Sequence, residues 1–199
     1  MPPNSSPPPS KTQAAKGRAH LEFDAKRFGR AATLYRRAAR LLADERSRQL
    51  AESLGGQLLS TARRGKLDEQ ALEPLPGLSE ELGWDEELLG YLMGAIDALS
   101  RSGRDDEVAR LVALTLGVAL RLGFSREEDD PERLTPFVEA STAAAWWIEA
   151  DRRREKPLKD ALRVICGEQV LCDIAPLLES TVEVITKKHA ETGAAPDAT

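Results

Sequence analysis

Apolar residues recur along most of this chain at the spacing of a helix with one buried face. The pattern is strongest in residues 17–42, where Phe28, Ala31, Tyr35, Ala38 and Leu42 fall at offsets of 0, 3, 7, 10 and 14, the 3.6-residue rhythm of an amphipathic helix. Arg30 and Arg37 lie opposite that stripe. Similar stripes predict about eight helices, beginning with 11–25, 27–43 and 46–64. In the third, Leu50, Leu54, Leu58 and Ala62 are spaced by four, and Gly55-Gly56 should weaken its middle. A short helix over 67–75 is expected to stop at Pro76-Gly77, and the next opens at Asp85 with Leu88, Leu92, Ile96 and Leu99 inward. Residues 108–122 are apolar nearly all round, so that helix needs neighbours on several sides. Later helices are predicted over 136–154, then over 158–171 after a break at Pro157, and from Asp173, with Leu171, Ile174, Leu178, Val182 and Ile185 keeping time.

Cap signals agree with these boundaries. Ser10 with Gln13 has capping-box spacing, as does Ser125 with Glu128. Asp130-Pro131 and Thr135-Pro136 each set a cap before a proline suited to a first turn. Residues 1–9 are rich in proline, asparagine and serine, and should form a disordered tail. A single all-helical domain is expected over 10–190, with a possible joint near 73–85 and a loose tail over 191–199.

The helix junctions resemble one another weakly. FDAKRFGRAATLY, TARRGKLDEQALEPL, LSRSGRDDEVARLV and ADRRREKPLKDALRV each close a helix, pass a short basic turn and resume before a small residue. Those small residues, Ala31, Ala71, Ala109 and Ala161, are separated by 40, 38 and 52 positions. Periods of this order suggest stacked antiparallel helical hairpins, each burying its apolar face on the next, with a single irregular helical bundle as the alternative. The first hairpin, over 11–43, resembles a tetratricopeptide (TPR) repeat on Ala19, Phe28, Ala31, Tyr35 and Ala38. The chain departs from that family in three ways: no proline near Asp44, Phe23 one place out of register, and later spacings longer than 34. The resemblance implies an irregular array that presents helical surfaces to another protein.

Composition supports the class. Aromatic residues make up 5% of the chain while 41% is hydrophobic and 31% charged, a mixture that suits helices and is poor in strand formers. The net charge of -5 conceals an asymmetry: up to Lys66 there are 14 Lys and Arg against 5 Asp and Glu, and from Leu67 onward 14 against 28. A basic region of this kind suits an acidic protein, nucleic acid or an anionic surface, or else the chain's own acidic part, within the fold or head-to-tail between copies.

Chemistry is harder to find. The only histidines, His20 and His189, have neither ExxH nor HxxxH spacing. Phosphate-cradling, dinucleotide and nucleophile-elbow motifs are missing. The acidic run Glu127–Asp130 lacks the glycine and alternating ligands of a calcium loop. Cys166 and Cys172, six apart, fit no redox or zinc pattern and are expected to be reduced core thiols. No metal, cofactor or catalytic residue is assigned, and no enzymatic activity is expected. The most apolar window, 108–124, is interrupted by Arg110 and Arg121, so no membrane helix is expected, and with no secretory leader visible the chain reads as cytoplasmic.

The expectation is a non-enzymatic adaptor or scaffold that docks another protein through Lys26, Arg27, Arg30, Arg36, Arg37 and Arg40 on the first hairpin. Trp146 and Trp147 are also candidates: adjacent on a helix, they point about 100° apart, so one can pack inward while the other reaches a partner. A nucleic-acid-binding regulator using the same arginines, and a subunit of a homo-oligomer, are the alternatives. Overall acidity and the lack of aromatics among the basic residues count against the former.

Overall fold

The computed structural model describes residues 10–125 and 135–167, together with 172, 174–176, 178–181, 183, 184, 186 and 187. Among them are nine α-helices and no strand: α1 (Lys11–Asp24), α2 (Phe28–Leu41), α3 (Arg48–Ala62), α4 (Glu69–Leu72), α5 (Leu75–Leu82), α6 (Asp85–Ser100), α7 (Asp105–Ser125), α8 (Thr135–Ala150) and α9 (Glu155–Cys166). The described positions in 172–187 are helical too. Residues 1–9, the pairs Ser125/Glu128 and Asp130-Pro131, the run 127–130, Leu171, Val182, Ile185, His189 and the tail from 191 involve positions outside the described residues.

The chain divides into two compact units, 1–98 and 99–199. In the first, α1 packs on α2 and α2 on α3, with α4 and α5 against α3. Ser10 closes both halves of the capping box with Gln13. Ala31, Tyr35, Ala38 and Leu42 are buried, and Phe28, half-buried, meets Phe23 edge-on at 5.2 Å. Trp84 and the α6 residues Leu88, Leu92 and Ala95 are almost wholly out of solvent, each large side chain contributing about 1.5–3 kcal/mol.

Gly55-Gly56 lies inside an unbroken α3 and has a packing role beside its propensity cost. A Cβ on Gly55 would lie 2.8 Å from the ring of Tyr91, and one on Gly56 would lie 2.6 Å from the ring of Tyr35. Both glycines admit an aromatic ring close to the α3 backbone, where any larger side chain would clash.

Two prolines sit where they start helices instead of ending them. Pro76 and Gly77 lie in the first turn of α5, and Pro157 in the first turn of α9, because a first-turn residue has no intrahelical acceptor for the N–H that proline lacks. The expected stop at Pro76-Gly77 and break at Pro157 are therefore corrected.

In the second unit α7 packs against both α8 and α9, as its all-round apolar surface requires, with Val108, Leu111, Leu116 and Val118 buried. Ile174 and Leu178 are buried as well. All four of the small residues Ala31, Ala71, Ala109 and Ala161 are buried. The cysteines are free thiols, Cys166 half-buried and Cys172 exposed, so Cys172 is not in the core. Among the described residues no helix is long and apolar enough to cross a membrane.

Candidate docking surface

The joint between α1 and α2 is closed by backbone geometry. Lys26 has φ +57, and its N–H donates to Phe23 O while that of Arg27 donates to Glu22 O, both at 2.8 Å. This is a Schellman closure with lysine in the left-handed position usually given to glycine. The reversal turns Lys26 and Arg27 outward, both exposed. Arg27 then caps α2 without a side-chain hydrogen bond. Its guanidinium instead pairs with the Glu22 carboxylate, which holds that carboxyl below its ordinary range.

The third helix brings a further cation to this joint. Arg64, just beyond the α3 C-terminus, lies over Gly29, its guanidinium carbon 3.6 Å from where a Cβ would stand. Lys26, Arg27, Phe28, Gly29, Arg30 and Arg64 border one open hollow of about 470 Å³ with no acidic side chain in its lining. Arg64 was not among the expected site residues. The Arg63-Arg64 pair in the basic turn before Gly65 was the available signal, but assigning it required the antiparallel packing of α2 on α3.

The six expected cations separate into two kinds. Arg36 is a strut: its Nη2 donates to Asp68 Oδ2 at 2.9 Å, and Gln57 Nε2 donates to the same oxygen at 2.8 Å. The other carboxylate oxygen of Asp68 accepts from Ala71 N at 3.2 Å, capping α4. Arg46–Glu81 at 2.9 Å and Arg63–Asp97 at 3.4 Å link the basic and acidic stretches of this unit in the same way. Residues 67–98 contain nine acids and no Lys or Arg, so part of the basic region is answered within the fold. Lys26, Arg30, Arg37 and Arg40 are exposed, with the charge of Arg30 acting on Glu22; Arg30 and Arg37 stand two turns apart on one face of α2.

His20, exposed on α1, reaches Tyr35 on α2. Its Nδ1 is 2.8 Å from Tyr35 Oη and the rings meet edge-on at 5.4 Å. Burial, then the charge of Lys16, lowers the His20 pKa against an opposing effect of Asp24. Burial raises that of Tyr35. Among the described residues no group of three or more His, Cys, Asp or Glu is placed to hold a metal.

The tryptophans divide in the second unit. Trp147 is buried while Trp146 is 46% exposed. Arg154 covers the Trp147 ring at 5.2 Å, donates to Trp147 O at 3.1 Å and pairs with Asp105 at 3.0 Å. In the same turn Arg152 pairs with Glu149 and Arg153 with Asp151, and the Arg153 contact holds the Asp151 carboxyl down to about 2.

Comparison with known proteins adds no identity: no family model, curated protein or solved structure matches the chain.

Proposed function

We propose that this chain is a non-enzymatic cytoplasmic adaptor of irregular TPR-like hairpins that docks an acidic surface of another protein through the first hairpin. The observation that carries this reading is the hollow at the α1–α2 joint, where Lys26, Arg27, Arg30 and Arg64 converge and Glu22, paired with Arg27, is the acid beside them, which leaves the joint positive. Arg37 and Arg40 extend the exposed positive surface along α2. A cluster of exposed cations steers an acidic partner at long range and sets the association rate more than the affinity. Trp146 supplies a separate aromatic anchor on α8.

The test is capture of partners from extract at low salt by wild type and by Arg30→Glu/Arg37→Glu, with Lys11→Glu/Arg18→Glu as a control of equal charge change elsewhere on the hairpin. Loss of a partner in the first variant alone supports docking. Retention of every partner by both contradicts it. A gel shift that weakens steeply with salt would move the assignment to nucleic acid.

A further inference from the structure

A second concavity lies on the same unit, between α2, α3 and the α4–α5 region, and its chemistry differs from that of the turn. It encloses about 290 Å³ and is lined by Ala39, Arg40, Leu50, Leu54, Gln70 and Pro74, among others. That volume is near the lower end of what ligand sites use, about 300–1,000 Å³. Ala39 stands on the last turn of α2 and Ala43 in the turn just beyond its C-cap, while Leu50 and Leu54 stand one turn apart on α3, so the α2 end and α3 together border a four-residue apolar strip. Leu54 and Ala39 are buried, Leu50 is half-buried and Ala43 is exposed.

The walls are polar and of one sign. Arg36 and Arg40 both stand on the α2 side, but Arg36 is committed to Asp68. Arg40 is exposed and makes no ion pair among the described residues. Gln70, exposed, faces the strip from α4. No acidic side chain lines the groove.

We propose that this groove seats the apolar face of an acidic amphipathic helix from the partner, with Leu-type side chains one turn apart over Ala39, Ala43, Leu50 and Leu54 and a carboxylate against Arg40. The proposal rests on the acidic-partner reading, and adds where the partner's apolar anchor goes. Charge complementarity selects this occupant: an apolar floor with one uncommitted cation on its wall is matched by a helix with aliphatic residues at i and i+4 and acids on its flank. Nucleic acid would require several phosphate contacts and stacking aromatics, whereas the lining holds two arginines and no aromatic.

The probe is a fluorescein-labelled peptide of about 15 residues, long enough for a helix-prone sequence to begin folding in water, with Leu at every fourth position and Glu between. Its controls replace Leu by Ser or Glu by Lys. Titration into isotopically labelled full-length protein should shift the amide resonances of Ala39, Ala43, Leu50 and Gln70. Arg40→Glu and Ala43→Glu, both at exposed positions, should each weaken binding about tenfold, the result of losing or inverting one well-placed contact. Neither control peptide should produce those shifts. Shifts confined to Lys26, Gly29 and Arg30, with full affinity in Ala43→Glu, would overturn the groove while leaving the acidic-partner reading in place. Binding of the Glu and Lys peptides alike, or of neither, would overturn the groove too, and the capture experiment would then judge the broader reading alone.

Discussion

The ring of Tyr35 lies so close to the backbone of Gly56 that a Cβ there would come within 2.6 Å of ring carbons. Tyr35 is 3% exposed and its hydroxyl is tied to His20, so the ring has little freedom to retreat. Gly56→Ala should therefore destabilise the protein by about 1–3 kcal/mol, the usual range for overpacking, although alanine is by propensity the better helix residue. Chemical denaturation followed by circular dichroism checks this; a stabilised variant would contradict the packing.

Helix periodicity told where α1 to α3 run, because an amphipathic stripe is a local property of the chain. The significance of Gly55-Gly56 was not legible: propensity registers only the cost within α3, whereas the rings of Tyr35 and Tyr91 arrive from α2 and α6. Pro76 and Pro157 misled for a related reason. A proline ends one helix or begins the next with the same local signature, and the choice depends on which flanking turn is packed. The basic joint was legible from residue type alone, but the separation of Arg36 from Arg37 was not. That separation depends on Asp68, 32 positions later.

Asp68 accepts from Arg36, Gln57 and the α4 backbone at once. Asp68→Ala would leave the Gln57 amide, 3% exposed as a residue, buried without its acceptor and would uncap α4. A loss of about 2–4 kcal/mol is expected from the two effects together. Arg36→Ala should cost less, since Gln57 and the cap keep their acceptor. Equal losses in the two variants, measured by denaturation, would contradict this ranking.

His20 makes the first unit sensitive to acid. Its pKa in the fold is lowered from the ordinary value of 6.5, chiefly by burial, so the fold favours the neutral ring. As pH falls through 6.5 the unfolded chain takes up the proton first, and the stability present above that pH declines until the lower folded value is passed. The urea midpoint of wild type should drop between about pH 7.5 and 5.5 by more than that of His20→Gln. Equal drops would show that other groups carry the dependence.

The adjacent tryptophans should respond unequally. Trp147→Ala removes a buried ring and its contact with Arg154, and about 3–5 kcal/mol should be lost. Trp146→Ala should stay within about 1 kcal/mol, because 46% of that residue faces solvent. Iodide quenching that survives in Trp147→Ala and vanishes in Trp146→Ala would assign the exposed emission.

The two thiols should differ in reactivity. Cys172 is exposed, while Cys166 is half-buried with its pKa raised by desolvation. A thiol reagent at neutral pH should modify one cysteine quickly and the other slowly, with Cys172→Ser removing the fast phase. A fast phase that persists in that variant would place Cys166 at the surface instead.

Hydrogen exchange on the full chain, alone and with a captured acidic protein, tests the docking claim most directly. Slowed exchange over residues 26–40 and around Arg64, weakening as salt is raised, is the predicted result. Slowed exchange confined to residues 99–187, with 26–40 unchanged, would contradict it.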